Sequence, residues 1–348
     1  MSLSHKLASG CGVIVGVIGG GQLGRMLALA GIPLGLSFRF LDPSPDAPAG
    51  EVGELLVGEY DDPELLDRLA DGAAVVTYEF ENVPVEAARR VGAVPEARAL
   101  EASQDRLVEK QLFRRLGIPT APIDDEVTTF PALLKTRRLG YDGKGQRLVE
   151  TRPGSDPGHV LEGLVPFESE LSLVAVRGAD GDTRFWPLVE NVHENGILFS
   201  SRVPAATLDE EAGLQPLAEE YAARLLDELA YVGVLAVEFF QVGDDGLVAN
   251  EFAPRVHNTG HWTVDASTTS QFENHLRAIL GWPLGPTDSR GCWMVNLIGV
   301  VPPAEHVLAV PNAHLHLYGK EPRPGRKLGH ITVVGPPWMH EGEILALL

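Results

Sequence analysis

The chain has 348 residues, 44% hydrophobic and 22% charged, with a formal net charge of −20. That length suits two or three globular domains, and the acidity argues against nucleic acid or an anionic membrane as the main partner. Cys11 and Cys292 are too few for a disulfide framework and point to a reducing compartment, the cytoplasm, while no apolar run approaches the roughly 18 residues of a membrane-spanning helix.

Residues 1–10, MSLSHKLASG, lack the apolar stretch of a secretory signal and read as a flexible tail. Val13–Ile18 is a continuous apolar run, the mark of a strand buried on both faces. Gly19-Gly20-Gly21 follows, then helical spacing over Gln22–Ala30, closed by Gly31 and Pro33. Leu36–Leu41 reads as a second strand ending at Asp42, Glu64–Leu69 as a helix, Ala74–Tyr78 as a third strand and Pro84–Arg90 as a helix. This alternation predicts a parallel sheet with crossover helices. Ser103–Leu116 is predicted as a helix capped by Ser103 and stopped by Gly117 and Pro119. Pro119–Pro122 reads as a linker. Beyond it, strands are predicted at Ala132–Thr136, Leu171–Arg177 and Phe185–Val189, and a long helix at Leu214–Leu229. Several short strands are expected in 283–348.

Five groups of residues carry chemistry. Gly19 to Gly24 fits G-x-G-x-x-G between a strand and a helix, an anion cradle in which backbone N–H groups face a phosphate. Asp42 stands near the position that would hold a ribose in a dinucleotide site, so a nicotinamide cofactor, a generic phosphate and a purely structural turn all remain open there. The loop Gly140-Tyr141-Asp142-Gly143-Lys144-Gly145-Gln146 follows a strand ending in Lys135 and reads as a mobile, charged flap over a triphosphate; an ordinary hairpin tip is the bland alternative. Asn250 to Trp262 concentrates Arg255, His257, Asn258 and His261 just after a strand. Tyr318-Gly319-Lys320, Arg323, Arg326 and Lys327 form a concentrated basic patch in an acidic chain, a clamp for an anion or a solvated turn.

The sharpest pattern is a pair of carboxylates. In VLAVEFFQVGDDGLVANEFAPR both flanks read as strands, closed around Gly243-Asp244-Asp245-Gly246. If the turn centres on the two aspartates, Glu238 and Glu251 stand directly opposite on one face, about 4.5–5.5 Å apart at Cβ. Ala236, Phe240, Ala249 and Ala253 are expected on that face. Two like charges on an apolar face repel, and a divalent cation between them removes the conflict; hard oxygen donors of this kind suit Mg²⁺, which usually brings substrate phosphates. Two solvated glutamates on an ordinary hairpin are the alternative.

Taken together, GGGQLGRM (19–26), TYEFENVP (77–84), QDRLVEKQLFRRLGIPTAP (104–122), GYDGKGQ (140–146), NEFAPRVHNTGHWT (250–263) and GRKLGHI (325–331) resemble the ATP-grasp superfamily. Within it they are most similar to the N5-carboxyaminoimidazole ribonucleotide synthetases of purine biosynthesis. The resemblance spans nearly the whole chain in the family's order. It implies a mixed α/β and α+β fold in three parts: a Rossmann-like N-terminal domain (11–118), a small lid (119–168), and a C-terminal domain with a β-rich end (169–348). It implies carboxylation of aminoimidazole ribonucleotide with ATP and bicarbonate through carboxyphosphate, with one or two Mg²⁺ ions that Mn²⁺ can replace, in a cytoplasmic homodimer. It assigns the glycine turn to substrate phosphate.

By the same resemblance, ATP contacts fall on Arg106, Lys135, the seven residues Gly140 to Gln146, Glu162, Val165, Glu170, His193, Asn250 and Glu251. Metal falls on Glu238 and Glu251. The aminoimidazole substrate would meet Gln22, Leu23, Glu79, Tyr141, Asp142, Arg255, His257, Asn258, Lys320 and Arg326. Asp142, Lys144, Arg255 and Lys320 are the candidate catalytic groups, with Asp142 as the base. Two departures stand out: the lid segments before Lys135 and after Gln146 are short for the family, and Lys144 stands where relatives more often carry arginine, keeping the charge without the bidentate fork. Another ATP-grasp ligase, a Rossmann dehydrogenase and a non-catalytic nucleotide binder are the competing readings.

Overall fold

The computed structural model describes residues 12–140, 144–154, 156–205, 213–244, 246–336 and 341–348. The chain begins with a parallel sheet of β1 (Val13–Ile18), β2 (Leu36–Asp42), β3 (Glu54–Val57) and β4 (Ala73–Tyr78), in the order β3-β2-β1-β4. Helices α1 (Gln22–Gly31) and α2 (Pro63–Ala70) supply the crossovers, and α3 (Val85–Arg90) and α4 (Ala97–Ser103) follow the last strand. Burial on both faces explains the unbroken apolar run of β1, where five of six residues are buried. The short edge strand β3 and helix α4 were not expected.

Helix α5 (Arg106–Arg115) starts later than predicted. Its cap is Asp105, not Ser103, because the Asp105 carboxylate accepts from Leu107 N at 3.1 Å while Ser103 closes α4. The same carboxylate binds the Arg137 guanidinium at 2.8 and 3.0 Å, which ties α5 to the lid. Pro119–Pro122 is pinned rather than free: Ala249 N donates to Pro119 O, and Gly163 N to Pro122 O. The lid carries a small antiparallel sheet of β5 (Ala132–Thr136), β6 (Gln146–Val149) and β7 (His159–Gly163), with β5 in the centre.

The remaining strands form one nine-stranded antiparallel sheet: β8 (Ser169–Arg177), β9 (Thr183–Phe185), β10 (Val189–Glu194), β11 (Ile197–Val203), β12 (Gly233–Val242), β13 (Gly246–Ala253), β14 (Cys292–Ile298), β15 (Ala313–Leu317) and β16 (Lys327–Val334). The predicted strand 185–189 is a correction. Phe185 ends β9 and Val189 begins β10, with fully buried Trp186 in the crossing between them. Helix α6 (Leu214–Glu228) covers one face, and α7 (Thr263–Ala266) and α8 (Gln271–Ile279) follow β13.

A single core runs from the first sheet into the large one, joining Val15, Leu27 and Phe38 to Trp186, Trp262, Phe272 and Leu276. At its centre His275 of α8 accepts from Val234 N of β12 at 3.1 Å and stands 3.0 Å from Thr77 Oγ1 of β4. Since Nδ1 accepts, Nε2 carries the proton toward Thr77. Burial pushes the imidazole down to about 3, so the neutral ring bridges the two sheets.

Candidate active site

The carboxylate pair forms as predicted in register: Glu238 of β12 lies opposite Glu251 of β13. Beyond it the prediction fails by one residue. Phe239 pairs with Ala249 and Phe240 with Val248, so Asn250 is an extra residue in a bulge. The loop between Val242 and Gly246 is three residues long, not four centred on the aspartates. Ala249 therefore turns to the opposite face, into the core with Phe239 and Leu247. The bulge sets the two glutamates together while re-aiming their neighbours.

Both glutamates line a cleft of about 580 Å³ between the N-terminal domain, the lid and the large sheet. Burial, and then the charge of Glu251, push the Glu238 carboxyl up to about 8. Glu251 is clasped by Arg106, at 3.2 Å to Oε2; the second Arg106 nitrogen donates to Gly140 O at 3.2 Å. The imidazole of His257 stands 3.7 Å from Glu238. Burial, reinforced by Arg255, holds His257 well below its usual range, so it faces Glu238 as a neutral ring.

On the lid side, Lys135 donates to Glu162 Oε1 at 2.6 Å. Burial raises the Glu162 carboxyl, but Lys110 and Lys135 outweigh it and hold the group below its ordinary value. Lys135, Gly140 and Gln146 line the cleft; Val165 is half-buried and not among the lining residues, and Lys144 is exposed. Tyr141, Asp142 and Gly143 lie outside the described residues. Gly145 takes a positive φ of 77° and passes its carbonyl to Thr136 N at 2.7 Å, which shapes the root of the flap. At the cleft wall, Glu170 hydrogen-bonds His193. Burial works against the His193 proton, yet this bond and the charge of Glu238 raise its affinity. Phe167 stacks on Phe240 at 4.7 Å between centroids, an aromatic face the motifs did not indicate.

On the N-terminal side the glycine turn is already committed to protein acceptors. Gly19 N donates to Leu41 O, Gly20 N to Asp42 Oδ2 and Gly21 N to Glu79 Oε1, each at 2.8 Å. Asp42 also accepts from Ser44 N and Tyr60 OH. Its carboxylate therefore serves the local fold around the turn. Glycine is required at 19: φ is 104°, and a Cβ would sit 2.8 Å from Glu79 Cγ. Gln22, Leu23 and Glu79 line the cleft. Lys320 reaches across to hydrogen-bond Gln22 Oε1, and burial lowers its amine to about 8. Arg326 donates to Glu321 O instead and is not among the cleft residues, whereas its neighbour Lys327 is.

Arg255 pairs with Glu81, a partner the motifs did not single out. Asn258 is buried and lines the cleft with both amide atoms lacking a partner. Such a group is costly unless a ligand completes it. Two opposed carboxylates provide the hard oxygen donors that Mg²⁺ takes, beside a cleft with cations at Arg106, Lys135 and Lys327 for phosphate.

Comparison with known proteins agrees along the whole chain. Family models match in order: Ribonucleotide synthetase preATP-grasp domain at 13–104, ATP-grasp domain at 123–272, and Phosphoribosylaminoimidazole carboxylase C-terminal domain at 292–339. The N5-carboxyaminoimidazole ribonucleotide synthase of Pseudomonas aeruginosa is 51% identical over 92% of this chain and 94% of its own. That of Bacillus subtilis is 39% identical over 95% and 94%. Among solved structures, the Thermus thermophilus synthetase superposes with a TM-score of 0.89 at 54% identity, covering 96% of this chain and 98% of that one. The Aspergillus clavatus synthase, in complex with ADP and 5-aminoimidazole ribonucleotide, gives 0.85 at 32% identity, covering 97% of each. With matched domains, identity and fold in agreement, the chain belongs to the N5-carboxyaminoimidazole ribonucleotide synthase family of ATP-grasp ligases.

Proposed function

We propose that this cleft carries out the family reaction with bicarbonate as carbon source, through carboxyphosphate. The γ-phosphoryl group of ATP passes to a bicarbonate oxygen, releasing ADP. The exocyclic amine of aminoimidazole ribonucleotide then attacks the carboxyl carbon, phosphate departs, and the amine loses a proton. The observation that carries this reading is the opposed Glu238–Glu251 pair, set between cations on the lid side and the orphaned Asn258 amide on the other.

Phosphoryl transfer needs positioning and charge neutralisation more than covalent catalysis. Mg²⁺ held by Glu238 and Glu251, one ion or two, with Mn²⁺ as substitute, would supply neutralisation of phosphate oxygens. Lys135 exchanges Glu162 for a phosphate oxygen, and Arg106 holds Glu251 in place. Glu170 and His193 take the nucleotide's hydroxyl side, and the edge Glu162 to Val165 meets its base. Gln22, Leu23, Glu79 and Lys320 hold the ribonucleotide, with Arg255, His257 and Asn258 around the reacting amine and carboxyl. The flap 140–146 closes over the site and excludes water from carboxyphosphate, with Asp142 as base and Lys144 as its charge. Cytoplasmic residence and a homodimer belong to this reading.

The test is the substrate dependence of ADP release. It should require aminoimidazole ribonucleotide together with bicarbonate, and ¹³C-bicarbonate should label the carbamate product. ADP release driven equally by another amine acceptor, or no label in the product, contradicts the reading.

A further inference from the structure

Glu251 sits in an awkward stretch of backbone. β13 is the edge strand of the large sheet, and the bulge leaves Asn250 unmatched on β12. An edge strand leaves peptide groups unpaired, and a bulge interrupts the ladder that would fix its register. Two adjacent residues of α5 meet these groups. Lys110 Nζ donates to Asn250 O at 2.7 Å and lies 3.4 Å from Ala249 O. Glu109 Oε1 accepts from Phe252 N at 2.7 Å. Those contacts fall on the two peptide units flanking Glu251, one on either side. Both side chains are only 2% exposed. Burying an ammonium and a carboxyl here is costly, and an apolar pair would cover the strand more cheaply. What the apolar pair would not do is hold those two peptide groups.

We infer that Glu109 and Lys110 are positioning residues that clamp the Glu251 backbone so that its carboxylate meets Glu238 across the bulge. The proposal rests on the metal reading of Glu238 and Glu251. Arg106, one turn earlier on α5, fixes the same carboxylate from its side-chain end. A second contact extends the role of Lys110, whose Nζ is 3.5 Å from Glu162 Oε2 while Lys135 holds Oε1. Glu162 Oε2 has no hydrogen-bond partner of its own. Lys110 is therefore the cation left to Glu162 when Lys135 turns to phosphate, and it links the lid to the metal carboxylate. Nothing in the helical pattern of QDRLVEKQLFRR marks these two charges as buried.

The experiment is a Mn²⁺ titration of the full-length protein, read by electron paramagnetic resonance, with the β,γ-imido analogue of ATP. Wild type is compared with Lys110→Met, Glu109→Leu, Glu109→Gln and Glu251→Gln, each checked for fold by circular dichroism. Removing a group that orients a metal ligand typically costs about 10–100-fold in affinity. Lys110→Met and Glu109→Leu should weaken Mn²⁺ at least about tenfold, while affinity for the analogue in EDTA changes less than about threefold. Glu109→Gln keeps an acceptor oxygen for Phe252 N and should stay within about threefold of wild type. If Lys110→Met does not fold, the contrast between Glu109→Leu and Glu109→Gln decides. Wild-type Mn²⁺ affinity in Lys110→Met and Glu109→Leu overturns the proposal, as does equal weakening by Glu109→Gln. Loss of Mn²⁺ in Glu251→Gln shows that the metal reading survives such a failure; a Glu251→Gln protein binding Mn²⁺ like wild type overturns both.

Discussion

Lys320 shows how much the surroundings decide at the scale of one residue. Its side chain crosses from the C-terminal region to Gln22 of α1, and burial lowers its amine to about 8. The group is charged below that value and loses its charge above it. If it holds the ribonucleotide, KM for aminoimidazole ribonucleotide should rise as pH passes from 7 to 9, with KM for ATP much less affected. Lys320→Met should show a KM already raised about tenfold or more and flat across that range, in line with the loss of a charge-assisted contact. An unchanged KM in the variant contradicts the assignment. The neighbouring Arg326 teaches the converse: a basic cluster in the sequence does not say which cation turns inward, and here Lys327 does.

Elements built from local signals were legible in the chain. β1, β5 and α1 follow from apolar runs and glycine stops, whereas Glu238 meets Glu251 because the Asn250 bulge offsets a turn one residue shorter than expected. What escaped depends on tertiary partners. β3 has four residues and pairs only at an edge, Trp186 is buried in a crossing, and the bulge at Asn250 meets side chains of α5. No local signal marks Lys110 and Glu109 as buried, because their partners lie about 140 residues away in sequence. Tight packing between elements gives a direct check. A Cβ on Gly31 would stand 2.5 Å from Phe38 Cζ and 3.0 Å from Leu276 Cδ1, where α1 meets α8. Gly31→Ala should destabilise the protein by about 1–3 kcal/mol despite the better helix propensity of alanine. Urea denaturation monitored by tryptophan fluorescence measures it, and a neutral or stabilising effect would refute the close packing.

The N-terminal sheet and the large sheet are joined by a common core and by His275. The folded-state pKa of His275 is about 3, below the usual 6.5 of an exposed ring. Between those values the unfolded chain binds a proton that the folded chain refuses, so stability falls as pH drops through that window. His257, His261 and His330, also held well below the usual range by burial, add to the same trend. The slope contributed by each is on the order of 1 kcal/mol per pH unit. His275→Gln retains an acceptor for Val234 N and a donor for Thr77, and should unfold with a visibly shallower pH dependence between 4 and 6.5. An unchanged slope would remove His275 from that role. If the reaction is organised on the opposed carboxylates, removing the charge of one of them should abolish it. In a coupled ADP assay with aminoimidazole ribonucleotide, bicarbonate and Mg·ATP, Glu251→Gln should lose turnover by about a thousandfold or more, a scale typical for removing a main electrostatic stabiliser, with its circular dichroism and melting unchanged. Turnover near that of the unaltered protein would show that the reaction does not depend on this pair.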